Sequence, residues 1–126
     1  MDFIKAIINA IINNQVALET IFVFQLLDIV SGLLSAVKSR EVSSSKMKAG
    51  IFSKFGEILV LIVTFVLKPA TGVDLTVAVM TYYIFMEGIS VIENLSEAGI
   101  QIPSQLVKYL QSGKSEVDQN DESEQK

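Results

Sequence analysis

Three long apolar stretches lie within one short chain, and they constrain its fold more than any other feature. They cover residues 16–37, 51–70 and 75–98 of the 126 residues. A membrane-spanning helix needs about 20 mainly apolar residues. Half of the chain is apolar and its mean hydropathy is +0.47, so little polar surface remains to cover three such helices as a soluble bundle. The pattern predicts an all-α membrane protein with about three transmembrane helices in residues 16–98.

The first stretch also contains Glu19, Gln25 and Asp28, so its insertion must be tested. Its thirteen Leu, Ile, Val and Phe residues favour insertion. Each contributes roughly −0.3 to −0.6 kcal/mol, against about +3 kcal/mol for one central Asp. The sum favours the membrane by a modest margin, and a soluble helical adaptor stays as a weaker alternative.

The segments on either side of the three spans have their own patterns. Residues 1–15 place isoleucines at helical spacing between polar residues, which predicts an amphipathic N-terminal helix. In residues 99–113, Gly99 fits a left-handed helix end and Pro103 opens a short C-terminal helix. Residues 114–126 carry a charge of −3 with one apolar side chain, so they predict a disordered acidic tail.

The basic residues between the first two spans predict the orientation of the chain. Because cytoplasmic loops are enriched in Lys and Arg, residues 38–54 should form a cytoplasmic loop, with the N-terminus outside and the C-terminus inside. The corresponding turn at residues 69–74 has no such cluster. The residues that determine this topology are Lys38, Arg40, Lys46, Lys48 and Lys54.

Polar side chains form stripes along the first and third spans. Ionisable groups at membrane depth usually face a partner or water, so these stripes predict self-association of the chain around a polar interior. Asp28 and Glu87 either line a pore or serve only to hold helices together, and both alternatives stay open. Glu57 has Lys54 three residues before it as a possible partner. The predicted intramembrane or assembly face consists of Asp28, Ser31, Gly32, Ser35, Tyr83, Glu87, Ser90 and Asn94.

Composition excludes most enzymatic and metal chemistry. The chain has no His, no Cys and no Trp, so imidazole or thiolate catalysis and Cys/His metal sites cannot be built. We therefore expect no catalytic residues, no metal and no cofactor. The formal charge of −4 also lacks the basic surface of a nucleic-acid-binding protein, which leaves the lipid bilayer as the expected partner.

Two segments of the chain have a specific pattern, EGISVIENL at 87–95 and GIQIP at 99–103, and LDIVSG at 27–32 with Gly50 and Lys54 adds to it. Together these segments resemble the bacteriophage holin family, which includes the clostridial toxin-secretion holins. The resemblance covers about two thirds of the chain, from Leu26 to Leu110. The chain differs from the usual family pattern at Ser31, at Met86 and in one loop glycine.

The resemblance implies about three spans, a charged C-terminal tail and oligomers that form lesions in the cytoplasmic membrane. Such lesions let a cell-wall hydrolase (endolysin) or, in some members, a toxin leave the cell. A non-lytic scaffold or an antiholin-like regulator is the alternative, in which the helices only hold a complex together.

Overall fold

Five helices follow one another in the order that the apolar stretches predict. A computed structural model describes the backbone of residues 2–125 and the side chains of residues 2–116. Within that part of the chain every regular element is helical, which confirms the all-α class. The helices are α1 (Asp2–Asn13), α2 (Gln15–Ser39), α3 (Ser44–Thr71), α4 (Thr76–Glu97) and α5 (Ser104–Gln125).

Helices α2, α3 and α4 are long and apolar enough to cross a membrane, as predicted. Only 17%, 22% and 33% of their most apolar windows is buried within the protein. Large side chains such as Phe52, Val16 and Val77 are 81%, 78% and 75% exposed. Lipid must cover this apolar surface, so the chain is a multi-pass membrane protein.

Helix α1 is separated from α2 by a single non-helical residue, Asn14, whose amide nitrogen donates to the Ala10 carbonyl at 2.7 Å. Ile7 and Ala10 pack against the apolar core, whereas Ile4 and Ile8 stay exposed. The predicted amphipathic helix thus uses one edge of its apolar face for packing and leaves the other edge free.

The connection between α2 and α3 is much shorter than the predicted loop over 38–54, because only residues 40–43 lie outside the helices. Helix α2 ends at Arg40 in the left-handed region, at φ 60°. The Ser43 hydroxyl then accepts a hydrogen bond from the Lys46 backbone N–H and starts α3. Most of the basic segment is therefore the first part of a spanning helix.

The connection between α3 and α4 is a tight turn that begins at Gly72. Pro69 was expected in this turn but lies in the last turn of α3, where the helix ends two residues later. Gly72 adopts φ 81°. The Lys68 ammonium lies 3.1 Å from the Asp74 carboxylate. Hydrogen bonds from the Thr76 side chain and backbone N–H, together with Lys68, lower the pKa of Asp74 to about 2, so Asp74 stays ionised at neutral pH.

Helix α4 ends as predicted, with Gly99 at φ 87° and the Ile100 N–H bonded to the Leu95 carbonyl. Helix α5 begins directly after Pro103 and continues beyond the predicted short helix. The side chains of residues 117–126 lie outside the described part of the chain. The disordered tail expected over residues 114–126 therefore stays a prediction.

Helices α2 and α4 run parallel and form the most extensive contact of the bundle, with α3 antiparallel to both. The apolar core lies where α2 and α4 begin and α3 ends. It consists of Ile21, Leu61, Phe65 and Met80. Between this core and the 40–43 connection, the three helices face one another with polar side chains.

Candidate functional site: an ion cluster between three helices

One lysine connects all three spanning helices. The Lys54 ammonium of α3 lies 2.6 Å from the Asp28 carboxylate of α2 and 2.9 Å from the Glu87 carboxylate of α4. The three side chains are 11%, 19% and 5% exposed. Charge-assisted hydrogen bonds of this length are among the stronger polar contacts in proteins, so the cluster holds the helices at a defined rotation and depth.

Asn94 of α4 fixes the orientation of Asp28. Its amide nitrogen donates to Asp28 Oδ1 at 2.8 Å, to the Asp28 carbonyl at 3.2 Å and to Ser31 Oγ at 3.2 Å. A Cβ atom at Gly32 would lie 3.5 Å from the same Asn94 nitrogen. That distance is an ordinary van der Waals contact, so the Asn94 amide packs directly against the Gly32 position of α2.

Gln25 and Glu57 extend the polar contact toward the apolar core. The Gln25 amide nitrogen donates to Glu57 Oε2 at 2.9 Å and to the Lys54 carbonyl at 3.4 Å. The possible ion pair between Glu57 and Lys54 does not form, because the Lys54 ammonium contacts Asp28 and Glu87 instead. Sequence reasoning did not assign Gln25 to the site, although its position three residues before Asp28 puts both on one helix face.

A cavity reaches the cluster from the end of the bundle that carries the 40–43 connection. It has a volume of about 390 Å³ and extends from Glu41, Ser43 and Lys46 down to Asp28 and Lys54. Every buried side-chain nitrogen and oxygen in the described part of the chain has a hydrogen-bond partner. The ion cluster is thus paired internally, while Asp28 and Lys54 also line this cavity.

The structure brings most of the predicted face together within one chain. Asp28, Ser31, Gly32, Glu87 and Asn94 meet at the cluster. Ser90 contributes to the cavity wall, and Ser35 donates to Glu97 near the helix ends at 3.0 Å. Tyr83 lies apart from them, against the apolar core. The role of these residues in assembly stays a prediction, since their observed contacts are internal to the chain.

The residues predicted to set the topology divide into two groups. Lys38 donates to the Ala98 carbonyl at 2.9 Å, Arg40 lies in the connection, and Lys46 and Lys48 are exposed in the first turns of α3. Lys54 instead lies in the ion cluster. The signal missed here is that Lys54 follows the helix start at Ser43 by three turns, which moves it from the surface into the span.

Comparison with known proteins agrees with the family resemblance of the sequence segments. The model of the bacteriophage holin family matches residues 6–114. A probable holin of Bacillus phage phi105 is 32% identical over 107 residues, which cover 83% of this chain and 79% of the relative. The uncharacterised protein YqxH of Bacillus subtilis (strain 168) is 28% identical, with 82% and 75% covered.

An uncharacterised 14.9 kDa protein from the nagH 3′ region of Clostridium perfringens is 33% identical, over 76% of this chain and 75% of the relative. No solved structure matches the chain.

We predict that Lys54→Met destabilises the bundle by roughly 3–5 kcal/mol, because Asp28 and Glu87 then face each other without a cation. The measurement is unfolding by SDS in mixed micelles, followed by the far-ultraviolet circular dichroism of the helices. Lys48→Met is the matched control, since the same change at an exposed position should alter stability by less than about 0.5 kcal/mol.

The triple variant Lys54→Met, Asp28→Asn, Glu87→Gln should recover much of the stability that Lys54→Met loses, because it removes the two carboxylates that would otherwise be unpaired. Equal effects of Lys54→Met and Lys48→Met would contradict a structural role for the ion cluster.

Proposed function

Because the chain belongs to the bacteriophage holin family, we propose that it oligomerises in the bacterial cytoplasmic membrane and forms lesions. These lesions let an endolysin, or a toxin in a secreting cell, leave the cytoplasm. The observation that carries the proposal is the Lys54 ion cluster, which places three charged groups from three helices inside the membrane-spanning region. Intramembrane charges of this kind generally mark a functional site.

The mechanism we propose starts from chains that are harmless to the membrane. In a single chain, Asp28, Lys54 and Glu87 satisfy one another, and the outer surface of the bundle is apolar. Such chains can accumulate in lipid without a water path. When enough of them assemble laterally, the helices separate from their partners and turn the polar stripes toward a common water-filled lumen.

This exchange is feasible because a buried ion pair contributes little net stability. The attraction between the charges is offset by the cost of removing them from water. Water in a lumen would restore that hydration. The cavity that already leads to Asp28 and Lys54 provides a route for the first water molecules.

The lipid bilayer, further copies of the chain and the exported endolysin or toxin are the partners in this scheme. We propose no enzymatic role, in keeping with a sequence that lacks both His and Cys.

A non-lytic role, as a membrane scaffold or an antiholin-like regulator, is the second candidate. One observation favours it, since every buried polar side-chain atom in the described residues is already paired within the chain. A protein of this kind would insert and associate without opening a lumen.

We further propose that the N-terminus lies outside the cell and the C-terminus in the cytoplasm. The basis is the concentration of Lys38, Arg40, Lys46 and Lys48 at one end of the bundle. A membrane-impermeant maleimide applied to spheroplasts should label Thr71→Cys and spare Ser44→Cys, because the chain has no other cysteine. Labelling of Ser44→Cys alone would reverse the orientation.

We predict that induced expression collapses the membrane potential abruptly, and that lysis follows only when an endolysin without its own export signal is co-expressed. The Asp28→Leu variant should insert normally but lose or mistime this collapse, because α2 no longer contributes a charge to the cluster. Potential-sensitive dye and culture density measure the two events.

Val30→Leu is the control for this experiment, since Val30 lies on the exposed face of α2 and its variant should lyse on the wild-type schedule. Unchanged lysis timing in Asp28→Leu would refute the proposed mechanism. Membrane localisation of the wild-type chain with an intact potential would instead support the scaffold or regulator.

A further inference from the structure

Helix α1 carries three different stripes of side chains along its length. Successive residues of an α-helix lie about 100° apart around its axis, which sorts the side chains of α1 by direction. One stripe, Ile7 and Ala10, packs against the apolar core. The next stripe is apolar and exposed, and it consists of Ile4, Ile8, Ile11 and Ile12. The third stripe is polar and exposed, and it consists of Asp2, Lys5, Asn9 and Asn13.

The exposed apolar stripe is continuous with surface that lipid covers. Helical hydrogen bonds lie on either side of Asn14, from its N–H to the Ala10 carbonyl and from the Leu18 N–H to its own carbonyl. They keep Ile12 of α1 close to Val16 of α2, and these two side chains are 59% and 78% exposed. Because Val16 belongs to the first span, the apolar surface of the span continues onto α1.

The packing of α1 places it near one end of the bundle. Ile7 and Ala10 lie against a core that includes Phe65 and Met80. These two residues are roughly 9 and 6 Å from the nearest ends of α3 and α4, at 1.5 Å per residue. Amphipathic helices on membranes lie at a similar depth, with the apolar face about 5–10 Å into the boundary between headgroups and acyl chains.

The polar stripe shows how α1 must be directed. If α1 ran inward along the membrane normal, acyl chains would surround Lys5 and Asn9, and Lys is among the residues that insertion disfavours most. If α1 lies in the plane of the membrane, the polar stripe faces water while the isoleucine stripe faces acyl chains. The second arrangement leaves each stripe in surroundings that match it.

The charged side chains of α1 do not select a lipid headgroup. Asp2 and Lys5 carry opposite charges, whereas helices that bind anionic membranes have polar faces rich in Lys and Arg. Apolar contact with the acyl chains must therefore supply the binding.

We propose that α1 is an interfacial helix whose exposed isoleucines insert among the acyl chains of the leaflet at the end of the bundle where α2 begins, whatever the charge of the lipid. The proposal needs only the insertion of the three spans. It therefore stands or falls independently of lesion formation.

Tryptophan fluorescence tests the proposal with the full chain in phospholipid vesicles, because the chain has no native Trp. Lipids brominated near the headgroup should quench Ile8→Trp at least about twofold more than lipids brominated near the ends of the acyl chains. Leu26→Trp is the reference for depth, since Leu26 is exposed on α2 roughly 16 Å beyond Gln15. It should show the reverse order.

Asn9→Trp is the matched control for the polar stripe, one residue from Ile8 and about 100° around the helix. Aqueous acrylamide should quench Asn9→Trp at least about threefold more than Ile8→Trp, because acyl chains shield the isoleucine stripe from water. Ile12→Trp repeats the measurement one turn further along the exposed stripe. Changing the vesicles from phosphatidylcholine to a mixture with phosphatidylglycerol should leave the quenching of Ile8→Trp unchanged.

Equal acrylamide quenching of Ile8→Trp and Asn9→Trp would overturn the proposal, because water would then reach both stripes. Bromine quenching of Ile8→Trp in the same order as Leu26→Trp would also overturn it, since α1 would then run into the bilayer. Protection of Ile8→Trp and Ile12→Trp from both quenchers would mean that protein, such as a second copy, covers the stripe instead of lipid. Quenching by brominated lipid only with phosphatidylglycerol present would show recognition of headgroup charge and contradict binding through acyl chains.

Discussion

A charge placed inside a bilayer must have a partner. In this protein a single lysine of α3 is the partner of one acidic side chain on each of the other two spanning helices. Lys54 contacts Asp28 and Glu87, which are 26 and 33 residues away in the chain. Lipid can cover the apolar surface of each helix at almost any rotation of the helix about its axis. The polar cluster allows far fewer arrangements, so it determines which faces of α2, α3 and α4 point inward.

The same cluster explains how a stable membrane protein could become a permeable one. Its charges are paired inside the chain, yet the cavity from the 40–43 connection reaches Asp28 and Lys54. Because hydration and pairing stabilise such charges to a similar degree, a modest gain from contacts between chains can shift them from one state to the other.

Much of this fold follows from the sequence, since the apolar lengths predict three spans, Gly99 predicts the end of α4, and helical spacing predicts the polar stripes on α2 and α4. The partners of those stripes do not follow, because periodicity defines a helix face without showing what it meets. The sequence pattern places Lys54 in the basic loop, because apolar periodicity does not identify Ser43 as the start of α3. The packing of α5 on α4 places Leu110 against Gly88, a long-range contact that no local pattern reveals.

The most direct test of the account measures water access to the polar cluster before and after the membrane potential collapses. Ser31 is 3% exposed and bonded to Asn94, so Ser31→Cys is a conservative probe for a small, membrane-impermeant thiol reagent. Leu34→Cys, on the exposed apolar side of α2, is the lipid-facing control. If the polar faces open to a water-filled lumen, Ser31→Cys is labelled slowly before the collapse and fast after it, and Leu34→Cys is labelled slowly throughout. Equal labelling of Ser31→Cys in both states would contradict it.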